Sequence, residues 1–218
     1  MPDPLVLAAD LETELIERKS RFLTRLHRVS SVEEADALIR AARADHPDAR
    51  HHCTALVLAP RGEAAEVNRS NDDGEPAGTA GMPMLQSLLH AGLVDTLAIV
   101  IRYFGGTLLG AGGLVRAYTA GVEQAVAAAT LLRRTELVVA QIEVSMADVG
   151  VAENAVRAWA AAHGALVEAT DYGMRGATLT VLVAPEQLAD LAADTSRWSS
   201  GRAEAREVSR RSADVPLT

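Results

Sequence analysis

Five glycines fall within nine positions of this chain, at Gly105, Gly106, Gly110, Gly112 and Gly113, between an apolar run and a helical pattern. The run Leu97-Ala98-Ile99-Val100-Ile101 is short and continuous, as expected of a buried central strand. Beyond the glycines, Leu114, Ala117, Tyr118, Val122, Ala125, Val126 and Ala129 recur at offsets of three and four, with Gly121 between them. That spacing predicts an amphipathic helix from Gly112 to Ala129, its other face carrying Arg116, Thr119, Glu123 and Gln124. The first half of the chain is therefore read as mixed strand and helix, joined by a glycine-rich turn.

With 218 residues and 49% hydrophobic content, the chain can form one large domain or two of ordinary size, each with a core. No internal repeat marks a division, but the pattern of elements changes near Thr130. Before it, Glu12 to Val29 reads as one or two strands, and Ser31 with Glu34 forms a capping-box signature for a helix that Pro47 stops. Cys53 to Ala59 and Glu66 to Arg69 read as strand, Ser70 to Gly78 as turn, and Thr79 to about Ala91 as a short helix. After Arg133-Arg134 the order is strand, helix (Asp148 to His163), two strands (Ala165 to Tyr172, Ala177 to Val183), helix from Pro185, and a weak strand at Ala203 to Ser209. This βαββαβ order is that of the split-βαβ, ferredoxin-like unit. The expected domains are residues 1–130 and 131–218, with Arg210 to Thr218 a frayed tail.

The 21 Lys+Arg against 29 Asp+Glu leave a net charge of -8, which excludes wholesale coating of nucleic acid and leaves only a local patch for a polyanion. One cysteine, Cys53, excludes an intramolecular disulfide and multi-cysteine zinc sites. Met1 to Leu5 lacks the basic and apolar regions of a secretory signal, and no apolar window approaches the ~20 residues of a membrane helix. The expected location is the cytoplasm, with no membrane partner.

Four stretches are candidates for chemistry. Asn71 to Thr79 places Asp72, Asp73 and Glu75 in a turn-prone loop leading into a helix. The three carboxylates could ligate Mg²⁺ or serve as a base, or they could satisfy turn amides, with Thr79 as N-cap; the ligand rhythm of a dedicated cation loop is missing. In the glycine-rich turn, backbone can approach a ligand at Gly105, Gly106, Gly110, Gly112 and Gly113, and the following helix offers free N–H groups to an anion. Arg116 in the first helical turn opposes the macrodipole, which makes sense beside a bound anion, and Arg102 flanks the turn on its other side. The competing reading is close packing, with both arginines paired to nearby carboxylates. Third, in Arg50-His51-His52-Cys53 a His beside a Cys invites a thiol-nucleophile or metal reading, against that of a buried structural cysteine; neighbouring strand residues face opposite ways, so His52 cannot easily serve Cys53, and the histidines are possible site-lining residues. Finally, Arg18, Lys19, Arg21, Arg25 and Arg28 form a basic stripe, either a local positive surface or only a solvated face, and Phe22, Tyr103, Phe104 and Tyr118 lie near arginines, as a base-stacking surface requires. Tyr118 is therefore also a possible site-lining residue.

Three segments together resemble the YigZ/IMPACT family: Lys19-Ser20-Arg21-Phe22; Asp72-Asp73-Gly74-Glu75-Pro76 with Gly78-Thr79-Ala80-Gly81; and Arg102-Tyr103-Phe104-Gly105-Gly106 through Leu109-Gly110-Ala111-Gly112-Gly113-Leu114-Val115-Arg116-Ala117-Tyr118. The resemblance covers about residues 12–128, and the remainder is similar to the additional ferredoxin-like domain of bacterial members, itself similar to a C-terminal domain of elongation factor G. It implies an α+β protein whose first domain has the left-handed βαβ fold shared with domain four of elongation factor G and a ribosomal-protein domain. Met82 and Leu108 stand where lysine is frequent in the family, and Thr54 where an aromatic residue is frequent. The eukaryotic relatives regulate translation under amino-acid starvation by protein binding. The expected function is thus a non-catalytic translation-associated regulator that binds RNA, the ribosome or a translation factor through the arginine-flanked turn, with no cofactor and no metal. Two alternatives are a metal-assisted hydrolase or phosphotransfer enzyme acting on a phosphorylated substrate, and a protein-interaction module whose binding varies little with salt. On the expected reading, replacing Arg102 and Arg116 weakens binding and leaves the fold intact.

Overall fold

The computed structural model describes residues 3–60 and 65–217; Met1 and Pro2, and Thr218 of the tail expected to fray, lie outside the described residues. In chain order the elements are β1 (Leu5–Leu7), β2 (Leu11–Glu17), β3 (Ser20–Arg28), α1 (Val32–Asp45), β4 (His51–Leu58), β5 (Val67–Asn71), α2 (Gly81–His90), β6 (Thr96–Tyr103), α3 (Ala111–Ala128) and β7 (Leu131–Ser145). Then follow α4 (Val149–His163), β8 (Leu166–Tyr172), β9 (Gly176–Val183), α5 (Leu188–Ser199) and β10 (Ala205–Pro216). The chain divides into two compact units, residues 1–134 with 214–218, and residues 135–213.

In the first unit one sheet runs in the order β2-β3-β6-β4-β5, with antiparallel neighbours throughout. Strand alternation assigns its two faces. Phe22, Leu26, Cys53, Ala55, Val57, Ala98 and Val100 pack with Met84 and Leu88 of α2 and Tyr118 and Val122 of α3. Leu23, Leu56, Leu58, Leu97, Ile99 and Ile101 pack with Ala35 and Ala42 of α1. The central β6 is apolar on both faces because both are covered, which is why its sequence is continuous rather than alternating. Each large side chain buried this way stabilises the fold by about 1.5–3 kcal/mol relative to exposure. The capping signature at α1 forms: Ser31 Oγ accepts from the Glu34 N–H at 3.2 Å, while the Glu34 carboxylate reaches one residue further back, to the Ser30 N–H at 2.6 Å.

The segment from Arg210, expected to fray, instead continues β10 as far as Pro216. Arg210 to Ser212 are exposed and Ala213 to Val215 half-buried, with no hydrophobic period to announce a strand; charge ties down its end. Asp214 accepts from Arg134 Nε at 2.9 Å and pairs with Arg28, and Arg134 also pairs with the buried Asp95.

The second unit has the element order β-α-β-β-α-β and the strand order β10-β7-β9-β8. Val138, Ala140 and Ile142 of β7 and Leu179, Val181 and Val183 of β9 form its core with Val156 and Trp159 of α4 and Leu191 of α5. Among the described residues of both units, no helix is long and apolar enough to cross a membrane.

Candidate functional site

Period two places Arg102 on the same face of β6 as Ala98 and Val100, beneath α3, where its side chain is 6% exposed. Its Nη1 donates to Glu75 Oε1 at 2.5 Å, and the Tyr118 hydroxyl donates to the same oxygen at 2.8 Å. Cys53 Sγ lies 3.2 Å from the Tyr118 hydroxyl and 3.0 Å from the Asp72 carbonyl oxygen. Ser20 Oγ accepts from the Gly105 N–H at 3.2 Å and lies 3.5 Å from Arg102 Nη2. The guanidinium carbon stands 5.3 Å from the Phe22 ring centre and 5.8 Å from that of Phe104. Arg102 is thus a partner of Glu75 within the core rather than a free flank of the turn, and its removal is not expected to leave the fold intact. Tyr118 and Phe22 are likewise core residues, packed edge to face with ring centres 5.3 Å apart, and do not form a stacking platform.

The three carboxylates of the acidic loop diverge. Asp72 supplies the cap of α2 from a distance: Oδ1 accepts from the Ala80 and Gly81 amides at 3.0 and 2.8 Å, and Oδ2 from the Gly78 amide at 2.8 Å. Burial pushes the Asp72 carboxyl up, but these three amides outweigh it and hold it below the usual carboxylate range. Thr79, expected as N-cap, instead donates its hydroxyl to the Pro76 carbonyl at 2.6 Å; the helix begins two residues later, at Gly81. Asp73 accepts from Arg43 Nη2 at 2.5 Å and from the His52 N–H at 2.6 Å, which together overcome burial and lower its pKa. Among the described residues no group of three or more His, Cys, Asp or Glu side chains is placed to hold a metal ion.

His51 lines the cleft beside Glu75, with Nδ1 2.8 Å from the Asp73 carbonyl, whereas His52 faces α1 on the other side of the sheet. Burial pushes the Cys53 thiol up to about 12; Glu75, Asp73 and Asp72 add to this, while the Tyr118 hydrogen bond acts against it. A raised folded pKa means that this stability is complete below the unfolded value of about 8.5 and is lost as pH rises toward 12, by up to about 1.4 kcal/mol per unit. We expect wild-type denaturation midpoints to fall more steeply between pH 8.5 and 10 than those of Cys53→Ala, and the native thiol to resist alkylation. Rapid labelling of the folded protein would contradict this.

The glycines of the turn do different work. Gly106 and Gly110 hold positive φ of 84° and 71°, and Gly105 lies so close to the β2–β3 turn that a Cβ would stand 2.0 Å from the Lys19 carbonyl carbon. At Gly113 a Cβ would meet the Leu109 side chain at 3.0 Å, whereas at Gly112 it would meet only Arg116 Nη1, at 3.6 Å. Helix α3 starts at Ala111 with no side-chain cap and no acid in its first turn. Arg116 is therefore in the second turn, not the first, but its guanidinium folds back toward Gly112. It lines a cleft of about 230 Å³ with Glu17, Arg18 and Gly113, while Arg50, His51, Arg102, Phe104 and Leu108 border another of about 320 Å³. Leu109 lines both, and the structure does not bring Arg102 and Arg116 into one cavity.

Lys19, Arg50 and Arg116 are exposed and form no ion pair with a carboxylate among the described residues. Arg50 instead stands 5.9 Å from the ring centre of the part-exposed Phe104. Arg21 and Arg25 are paired: Arg21 with Glu14 at 2.5 Å, Arg25 with Glu12 at 2.6 Å and Asp45 at 3.1 Å. The sequence signal for this pairing is the alternation of Glu12 and Glu14 opposite the arginines in a hairpin, where Glu12 faces Arg25 directly. Arg50 opens the Arg50-His51-His52-Cys53 stretch, where a lone arginine before a strand has no pattern of its own to assign it a role. Met82 and Leu108 are exposed, Leu108 on the cleft rim.

The chain is thus a two-unit α+β protein with a buried Arg102–Glu75–Tyr118 network beneath the glycine-rich start of α3. Residues 18–126, half of the chain, match the family model described as the Impact N-terminal domain, and the chain belongs to the IMPACT family. It is 51% identical over 120 residues to "IMPACT family member YigZ" of Escherichia coli (strain K12), covering 55% of this chain and 58% of that protein. It is 49% identical over 113 residues to "IMPACT family member YvyE" of Bacillus subtilis (strain 168), covering 52% and 51%. The matches thus span about half the length of these curated relatives. A crystal structure described as that of an hypothetical protein is 35% identical with a TM-score of 0.57, covering 96% of this chain and 98% of that one.

Proposed function

We propose that the chain is a non-catalytic, cytoplasmic, translation-associated protein that binds RNA, free or on the ribosome, by seating a phosphate at the uncapped start of α3. The observation that carries this reading is the contrast in charge use. Arg21, Arg25 and Arg102 are spent on carboxylates, whereas Lys19, Arg50 and Arg116 stand without one around a helix N-terminus that carries no acid. On a chain of net charge -8, such a local cluster is what a polyanion requires. Free N–H groups and an adjacent guanidinium are the donors a phosphate takes. Membership of the family supports the link to translation. The strand order β10-β7-β9-β8 supports reading the second unit as ferredoxin-like, and we read the first as the left-handed βαβ domain of the family.

Arg116→Ala is expected to weaken binding of a structured RNA or of ribosomes by roughly 1–3 kcal/mol, the usual cost of losing a charge-assisted partner, with an unchanged amide spectrum. Wild-type affinity in that variant would move the contact surface elsewhere. Binding to a translation factor that is insensitive to salt would instead favour the protein-interaction alternative, and metal-dependent phosphate release the enzymatic one.

A further inference from the structure

A further cavity lies on the opposite side of the first unit's sheet, between α1 and the end of the β4–β5 pair, and does not depend on the α3 reading. Two periodic faces and an edge strand converge on it. Asp36, Ile39 and Arg43 follow at offsets of three and four along one face of α1, His52, Thr54 and Leu56 alternate along β4, and Arg69 comes from the edge strand β5. Leu97 of the central strand lines it too. The volume is about 180 Å³. At about 30 Å³ per water in the liquid, that is room for a handful of waters or one small molecule.

We propose that this cavity binds a small aliphatic carboxylate. Arg43 and Arg69 supply two guanidinium groups, paired to Asp73 and Asp36 respectively, so the formal charges balance and what the cavity offers an anion is the N–H donors those pairs leave unused. Asp36 holds Arg69 only at 3.5 Å, the long end of an ion pair, and Arg43 uses Nη2 on Asp73, so each arginine retains donors. Planar forks of this kind match a carboxylate, and the walls of Ile39, Leu56 and Leu97 suit a short hydrocarbon tail rather than a second charged group. The side chain of His52 is only 6% exposed, and its Nε2 has no hydrogen-bond partner in the structure. A buried polar atom left in that state is costly, and the cavity beside it is where a partner can be placed.

Titrating isovalerate into the full chain, followed by calorimetry and by the His52 ring resonances, tests the proposal. Saturable binding with a Kd of about 1 mM or tighter is expected, together with a shift of the His52 signals. Arg69→Gln should weaken it by about tenfold or more, the loss of one charge-assisted bond. Thr54→Phe, which fills the cavity from the sheet side, should abolish it, and Ile39→Phe does the same from the helix should Thr54→Phe not fold. Absence of saturable binding overturns the proposal and leaves a water-filled cavity. So does equal binding of butylamine or inorganic phosphate, or wild-type affinity in a folded cavity-filling variant.

Discussion

Glu75→Ala is expected to destabilise the first unit by about 3–5 kcal/mol, the cost of breaking a buried ion pair from one side. The carboxylate is 3% exposed and accepts from both Arg102 and Tyr118, so its removal leaves a guanidinium in the core with no counter-charge and a hydroxyl with no acceptor. Arg102 cannot escape by losing its proton, because a guanidinium stays charged at any accessible pH, and Ser20 at 3.5 Å is too distant a substitute. Replacing both partners together, as Glu75→Leu with Arg102→Met, removes two desolvation costs along with the pair and should recover most of the loss. The check is a double-mutant cycle on denaturation midpoints, in which a single-variant cost below about 1 kcal/mol would place Glu75 outside the network. That pattern also separates structural from functional use of the motif: loss of partner binding by Glu75→Ala is expected to follow loss of fold.

Gly105→Ala should rank second, at about 3 kcal/mol, the upper end of overpacking costs, because its Cβ would lie 2.0 Å from the Lys19 carbonyl carbon, 2.1 Å from its oxygen and 2.4 Å from the Ser20 nitrogen. Those are backbone atoms and cannot rotate away, so the loop must lift off the β2–β3 turn and surrender the Gly105 N–H bond to Ser20 Oγ. Gly112→Ala is the internal control. Its Cβ meets only the movable end of Arg116, and alanine in a helix is favoured over glycine by about 0.5–1 kcal/mol, so neutrality or a small gain is expected. Thermal denaturation of the two variants decides this, and equal melting temperatures would mean that the turn packs differently.

The features legible in the sequence were those with a period or a local partner. The continuous apolar run of β6, the three-and-four spacing of α3 and the Ser31–Glu34 cap each lie within a few residues, so their patterns survive without knowledge of the fold. What escaped depends on distant pairing. Asp72, not Thr79, caps α2 because the loop between them folds back, and nothing in the spacing distinguishes a cap nine residues upstream of the helix from one adjacent to it. Arg102 reads as a flank of the glycine turn until the strand face is known, whereupon its neighbours become Glu75, 27 residues away, and Ser20, 82 away. The end of β10 is half-buried but has no hydrophobic period, and its place is set by pairing with β7 and by arginines far along the chain. The glycines differ in what the backbone asks of them: Gly105 is required by close packing and Gly106 and Gly110 by positive φ, while Gly112 meets neither demand.

The most direct test of the phosphate site is the salt dependence of RNA binding, with affinity for one structured RNA oligonucleotide measured from about 50 to 200 mM monovalent salt. If Lys19, Arg50 and Arg116 each neutralise one phosphate, log affinity should fall with log salt at a slope of about 2–3, and each alanine replacement among them should reduce that slope by about one. A wild-type slope near zero, or a slope that the triple replacement leaves unchanged in a folded protein, would contradict the account.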